Sequence, residues 1–97
     1  MRFLVVVPTY NEIQNLKGLL ENVFQVVDSQ ATLYGIKEFN VLVVDDNSPD
    51  GTGKLADELA KANSRIHVLH RQEKSGLGKA YVAGFAWGLD KKFDAIC

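Results

Sequence analysis

The sequence lacks most features of secreted, membrane-spanning or nucleic-acid-binding chains. Its 97 residues contain one cysteine, Cys97, which excludes an internal disulfide framework and fits a reducing compartment. A formal net charge of −1 gives no long-range field to attract nucleic acid or an anionic membrane surface. The first apolar run, residues 3 to 7, is too short to span a bilayer and has no signal-peptide cleavage region. We therefore expect a cytoplasmic chain without nucleic-acid partners or membrane-spanning segments.

What the sequence does contain is a strongly apolar segment followed directly by acids. Val-Leu-Val-Val at 41 to 44 is typical of a strand buried on both faces, and Asp-Asp-Asn-Ser-Pro-Asp-Gly-Thr-Gly at 45 to 53 is typical of a turn and a helix start. Asp45 and Asp46 would then lie at the carboxyl edge of a central strand. Ligands bind at that edge in open parallel sheets, so we take it as the candidate site. The alternative is that these acids are only turn and capping residues.

The remaining patterns complete a β-α-β-α-β-α-β order. Strands are predicted at 3 to 7, 39 to 44, 66 to 69 and from 94 onward. Apolar positions 16, 19, 20, 23, 26 and 27 predict a first helix capped by Asn11, with residues 29 to 38 as the return loop. Ser48-Pro49-Asp50 predicts the start of a second helix, and Gly84 and Gly88 in the third would allow a close approach to a neighbouring element.

This order predicts an α/β fold with a doubly wound, mostly parallel, Rossmann-like sheet and helices on both faces. The last predicted strand begins as the sequence ends. We therefore expect residues 1 to 97 to be the amino-terminal part of a larger domain.

Three loops bring polar side chains to the same predicted edge of the sheet. They contribute Tyr10 and Glu12, then Asp45 and Asp46, then Arg71, Lys74 and Lys79. A nucleotide base needs hydrogen-bond acceptors and an apolar wall, whereas phosphates need cations and backbone N–H groups. The first two loops therefore suit a base and ribose, and the third suits phosphates. In particular, the carboxylate of Asp46 can accept two parallel bonds from guanine; for the three cations, a solvated basic loop is the alternative.

Two glycine-containing patterns and one pair of histidines do not match known nucleotide-binding or metal-binding motifs. Residues 75 to 80 lack the first glycine and the final Ser or Thr of a phosphate-binding P-loop, and Gly76-Leu77-Gly78 lacks the third glycine of a dinucleotide fingerprint. His67 and His70 lie three apart without further metal ligands, which favours structural roles.

Three motifs together resemble a known family. Val-Val-Val-Pro-Thr-Tyr-Asn-Glu at 5 to 12, Val-Val-Asp-Asp-Asn-Ser-Pro-Asp-Gly-Thr at 43 to 52 and Gly-Leu-Gly-Lys-Ala-Tyr-Val-Ala-Gly-Phe at 76 to 85 resemble the amino-terminal half of family 2 glycosyltransferases with the GT-A fold. The third motif, combined with the others, is similar to the branch of dolichol-phosphate (polyprenol-phosphate) mannosyltransferases. The resemblance covers essentially the whole chain.

The resemblance implies both a site and a reaction. Its nucleotide-sugar-binding residues would be Pro8, Tyr10, Glu12, Val44 and Asp46, with Asp45 as a supporting neighbour and no catalytic residue assigned within the chain. The implied reaction transfers mannose from GDP-mannose to dolichyl or polyprenyl phosphate with inversion, at the cytoplasmic face of a membrane. A Mg or Mn ion would be held by an Asp-x-Asp motif after Cys97, so these 97 residues alone are expected to be inactive.

The sequence is compatible with two other functions. Within the same family, the chain could use a UDP-sugar, which a preference for uridine over guanosine nucleotides would reveal. From a different class, it could be a nucleotide-binding or structural α/β module without transferase activity.

Overall fold

The computed structural model describes residues 1–72 and 76–97 as a parallel sheet covered by helices on both faces. The elements are β1 (Arg2–Thr9), α1 (Leu16–Tyr34), β2 (Glu38–Asp45), α2 (Thr52–Ala62), β3 (Ile66–His70), α3 (Leu77–Asp90) and β4 (Ala95–Ile96). The strand order is β3-β2-β1-β4, and each pairing among the described residues is parallel. The predicted α/β fold with a doubly wound sheet is confirmed. Because the order reverses at β1, its carboxyl end lies at the position where such sheets form ligand crevices.

Side chains of β2 alternate between two apolar cores, one on each face of the sheet. Val41 and Val43 belong to the core beneath α1 and α2, whereas Leu42 and Val44 belong to the core beneath α3. All four are completely buried. Successive strand side chains point to opposite faces, so a strand covered on both faces needs an unbroken apolar run.

The first helix differs from its prediction at both ends. It begins at Leu16 and continues to Tyr34, so the predicted loop at 29 to 38 is wrong for residues 29 to 34. Gly35, with φ of 68°, ends the helix in the left-handed conformation, and its N–H donates to the carbonyl of Thr32. The polar residues before Gly35 continue the solvent-exposed part of the helix, since its outer face can be polar without breaking it.

The predicted apolar stripe of α1 is also partly wrong. Leu19 is 43% exposed and Val26 is 62% exposed, whereas Phe24 packs edge-on against Phe39 of β2. The buried face is thus rotated relative to the predicted one. Within residues 1–72 and 76–97, no helix combines the length and apolar character that a membrane crossing requires.

The third helix lies very close to the sheet. A Cβ atom added to Gly84 would be 2.4 Å from Val6 Cγ1, and one added to Gly88 would be 2.8 Å from Leu4 Cδ2. The predicted close approach at these two glycines is confirmed. It brings the first residues of α3 beside the carboxyl end of β1.

Candidate functional site

A cleft of about 240 Å³ opens beside the carboxyl end of β1. The residues that line it are Pro8, Thr9, Tyr10, Glu12, Asp46, Gly76, Leu77 and Ala80. Four of the five residues that the sequence predicts for nucleotide-sugar binding are among them. They come from the end of β1 and from the loops after β1 and β2, which the parallel sheet brings to one edge. Their part in binding stays a prediction.

Val44 is the predicted site residue that does not line the cleft. It is completely buried, and its side chain packs in the core beneath α3. Its carbonyl accepts a hydrogen bond of 3.4 Å from Thr9 Oγ1. A direct side-chain contact with a ligand is therefore not available to Val44 in this structure, and its position supports Thr9 at the cleft wall.

The carboxylate of Asp45 anchors the loop that follows β2. Its Oδ1 accepts hydrogen bonds from Thr9 Oγ1 at 3.2 Å and Ser48 Oγ at 2.6 Å, and its Oδ2 accepts one from the Ser48 N–H at 3.1 Å. A Cβ atom on Gly53 would be 2.7 Å from the same Oδ2, so glycine at 53 leaves room for the carboxylate. Asp45 is buried and does not line the cleft.

Asp46 lines the cleft and is paired with Arg71. Arg71 Nη1 donates to Asp46 Oδ1 at 3.2 Å, and the two side chains are 21% and 7% exposed. The Arg71 N–H also donates to the Asp45 carbonyl at 2.8 Å. Arg71, which the sequence suggested for phosphates, thus orients a carboxylate. Each carboxylate oxygen has two acceptor sites, so Asp46 can still accept hydrogen bonds from a ligand.

The other two cations that the sequence suggested for phosphate binding are Lys79 and Lys74. Lys79 is exposed in the first turn of α3 and does not line the cleft. Lys74 lies outside the described residues.

The loop after β1 is held by side chains of the loop after β2 and of the first residue of α2. The N–H groups of Asn11, Glu12 and Ile13 donate to Ser48 Oγ at 3.0 Å, Thr52 Oγ1 at 2.9 Å and Asp50 Oδ2 at 3.2 Å, respectively. The predicted helix cap at Asn11 is wrong, because Asn11 has a φ of 55° and Asn15 occupies the N-cap position. Sequence patterns missed these contacts because each joins residues 37 or 40 positions apart.

Asp50 connects both loops to the start of α2. Its Oδ1 accepts hydrogen bonds from the N–H and the hydroxyl of Thr52. The hydroxyl bond is the largest cause that holds the pKa of Asp50 below its ordinary value. The helix begins at Thr52, after Gly51 with a φ of 94°, and so starts later than the predicted Ser48-Pro49-Asp50 cap.

The beginning of α3 forms the wall of the cleft that sequence reasoning missed. Gly76, Leu77 and Ala80 line it, and Gly76 has a φ of 99°. The Ala80 N–H donates to the Gly76 carbonyl at 3.2 Å as the helix begins. Amide groups in a first helical turn lack intrahelical acceptors and carry partial positive charge, which suits an anionic group. Gly76, directly before the helix, and Gly78, in its first turn, were the available signal.

The two histidines have partners within the fold. His70 Nε2 lies 2.8 Å from Asp57 Oδ1, and His67 Nε2 lies 3.0 Å from Asn40 Oδ1. Burial lowers the pKa of His67. In the part of the chain that the structure describes, no group of three or more His, Cys, Asp or Glu side chains is arranged to hold a metal ion.

Comparison with known proteins identifies the family. The model of glycosyl transferase family 2 matches residues 4–91. The chain belongs to glycosyl transferase family 2. The family that the three motifs resemble is thereby confirmed.

Curated members similar to this family 2 chain carry related names. It is 48% identical over 96 residues to the polyprenol monophosphomannose synthase of Mycolicibacterium smegmatis, covering 98% of this chain and 33% of that protein. It is also 48% identical over 96 residues to the undecaprenyl-phosphate mannosyltransferase of Micrococcus luteus, covering 99% and 36%. Identity to the dolichol-phosphate mannosyltransferase of Pyrococcus furiosus is 38% over 85 residues, covering 88% and 22%. The chain therefore spans about a third or less of these relatives.

A solved structure shares the fold of this family 2 chain. It is the mannosyltransferase PcManGT from Pyrobaculum calidifontis in complex with GDP-Man and Mn²⁺. The similarity has a TM-score of 0.70 and 25% sequence identity, and it covers 89% of this chain and 24% of that one. This agrees with the predicted GT-A type of α/β fold.

Proposed function

We propose that residues 1–97 form the nucleotide-sugar-binding part of a mannosyltransferase that acts on a polyprenyl or dolichyl phosphate. The observation that carries this proposal is the meeting of Pro8, Tyr10, Glu12 and Asp46 around one cleft of a family 2 chain. Support for the donor comes from the structural neighbour, which was solved with GDP-Man. Support for the acceptor comes from the names of the relatives.

The cleft suits a nucleoside better than a whole nucleotide sugar. Its volume of about 240 Å³ is below the ~300 to 1,000 Å³ of sites that enclose drug-sized ligands. Pro8 and Tyr10 would supply an apolar wall, while Glu12 and Asp46 would supply acceptors. Asp46, oriented by Arg71, would accept hydrogen bonds from the ring N–H and amino group of guanine. The diphosphate would extend toward the start of α3.

The reaction would be an inverting displacement. A phosphate oxygen of the acceptor attacks the anomeric carbon of mannose, the bond from that carbon to the diphosphate breaks, and GDP leaves with the bonding electrons. An acceptor phosphate is already anionic at neutral pH, so it needs little help from a general base. The lipid tail of the acceptor would place the reaction at the cytoplasmic face of a membrane. The Mn²⁺ in the structural neighbour supports a requirement of the whole enzyme for Mg²⁺ or Mn²⁺.

An amide NMR titration of the chain with GDP and then with UDP tests the proposal. We expect saturable shifts near Tyr10, Glu12 and Asp46 with GDP, and weaker ones with UDP. Stronger binding of UDP would overturn the guanosine donor in favour of a UDP-sugar. A folded chain that binds neither nucleotide would overturn the proposed role of the cleft.

A further inference from the structure

We infer that Ser48, Asp50 and Thr52 are positioning residues that hold the loop after β1 in its ligand-binding conformation. The observation is that three successive N–H groups, at residues 11 to 13, donate to these three side chains. The inference rests on the proposed function, because it assigns these residues to the nucleotide cleft without placing them in contact with the nucleotide.

Each acceptor is itself fixed by a further hydrogen bond. Ser48 Oγ accepts from the Asn11 N–H and donates to Asp45 Oδ1 at 2.6 Å. Thr52 Oγ1 accepts from the Glu12 N–H and donates to Asp50 Oδ1. A hydroxyl can accept and donate at once, whereas a methyl group can do neither. Serine or threonine is therefore required at positions 48 and 52 for both chains of hydrogen bonds.

These hydrogen bonds determine which groups of the loop after β1 face the cleft. The N–H groups of residues 11 to 13 are directed to the loop after β2, while Tyr10 and Glu12 line the cleft. Asn11 has a φ of 55°, in the left-handed region that asparagine adopts more readily than most residues other than glycine. Without the three acceptors, this backbone would lose the contacts that select it, and Tyr10 and Glu12 would lose their fixed positions.

The decisive comparison is between Thr52→Val and Thr52→Ser. Valine has nearly the shape of threonine and fits the fully buried site, but it removes the hydroxyl, whereas serine keeps it. Ser29→Ala is the matched control, because the Ser29 hydroxyl bonds only to the Val26 carbonyl within α1 among its described contacts. For each variant we would measure amide hydrogen exchange at residues 11 to 13 and the dissociation constant for GDP.

We expect Thr52→Val to raise both the exchange rate of the Glu12 amide and the dissociation constant for GDP by about 10-fold, the cost of one buried hydrogen bond. Thr52→Ser and Ser29→Ala should stay within about 2-fold of the unchanged chain on the same scale. Restoration by serine separates the loss of the hydroxyl from a general loss of packing. If Thr52→Val does not fold, Ser48→Ala replaces it, with the Asn11 amide as the reporter.

Two failures can be told apart. If the unchanged chain binds GDP and Thr52→Val binds it equally well, the positioning role is overturned and the proposed function stands. If the unchanged chain does not bind GDP, the proposed function is overturned together with any role in GDP binding. Exchange at residues 11 to 13 then still decides whether the hydroxyl orders the loop.

Discussion

The two ends of the sheet are both polar, but their hydrogen bonds serve different purposes. At the carboxyl end, side chains of the loop after β2 accept hydrogen bonds from the backbone of the neighbouring loop. Glu12 and Asp46 line the cleft that results. Side chains there hold the backbone of the neighbouring loop, and the carboxylates that line the cleft belong to other residues.

At the amino end, the polar side chains pair with one another. Arg2 Nε and Asn40 Nδ2 both donate to Glu38 Oε2, at 3.1 and 3.0 Å, and Asn40 Oδ1 lies 3.0 Å from His67 Nε2. Arg2 Nη1 also donates to the carbonyls of Lys91 and Lys92. This network joins β1, β2 and β3 to the turn after α3.

Cavity size alone would favour the amino end of the sheet. The cavity at the amino end has a volume of about 410 Å³, against about 240 Å³ at the carboxyl end. Its main polar groups satisfy each other across strands, which is the arrangement expected of a structural network. The direction of the hydrogen bonds, and not the volume, is therefore what distinguishes the candidate site from the cavity at the amino end.

The largest effect should come from the strand that connects the two ends. Leu42 is fully buried at the centre of β2, so Leu42→Ala should lower the free energy of unfolding by ~2 to 5 kcal/mol. Urea unfolding followed by amide signals from both ends should give one earlier transition. Separate transitions would show that the ends are independent, and an unmoved curve would contradict the central position of β2.

The second-largest effect should be a loss of GDP affinity caused by a change at the carboxyl end of the sheet. Asp46→Ala should raise the dissociation constant for GDP by about 10-fold or more, since a charged acceptor is lost. It should also cost some stability, because the hydrogen-bonded ion pair of Asp46 with Arg71 lies in a largely buried site. Asp57→Ala is the control, since it removes a carboxylate paired with His70 away from the cleft lining. Equal GDP affinities of the two variants would remove Asp46 from the site.

A smaller effect is expected at the amino end. Glu38→Gln should lower stability by no more than about 1 kcal/mol, because the Arg2–Glu38 pair is roughly half exposed. Its affinity for GDP should not change. Weaker GDP binding in this variant would show that the amino-end network contributes to binding. That result would contradict the difference in role between the two ends of the sheet.

The smallest expected effect is a pH dependence that acts on the two ends in turn. Burial holds the pKa of folded His67 below 6.5, so the unfolded chain takes up that proton first, and the contribution of neutral His67 is lost as the pH falls below about 6.5. The lowered pKa of Asp50 gives a contribution that is present above about 3.8 and lost as the pH falls through the folded value.

Stability measured against pH would check this order. His67→Gln should flatten the curve at and below neutral pH, whereas Asp50→Asn should flatten it only in the acid range near pH 4 and below. The reverse assignment of the two pH ranges would contradict the proposed roles of these groups.

The sequence predicted the fold where local pattern and tertiary structure agree. The apolar run at 41 to 44 has that form because β2 is covered on both faces, and Gly84 is small because α3 lies against Val6. The predictions from sequence were wrong where contacts between residues distant in the chain determine the local structure. Asn11 is not a cap because its loop, held by Ser48, places it at a φ of 55°, and the helix begins only at Leu16. Val26 is exposed, whereas Phe24 packs against the core.

The site was predictable to a similar extent. The loops after β1 and β2 were expected to meet because parallel strands end at one edge, and they do. The use of Arg71 by Asp46 could not be foreseen, since a basic loop residue looks the same in sequence whether it binds phosphate or a carboxylate. Thr9 and Leu77 were missed because nothing in their local pattern distinguishes them from ordinary strand-end and helix-start residues.

The glycines of α3 have a consequence for ligand selection. Gly84 is four residues from Ala80, the cleft-lining residue of α3 that is nearest to it, so the contact that sets the distance between α3 and β1 lies ~6 Å along the helix from the cleft. Adding one methyl group there would push the helix outward and widen the cleft without altering any residue that lines it. Two chains with identical lining residues could therefore accept ligands of different size. Conservation of the lining residues alone would not preserve the preferred ligand size.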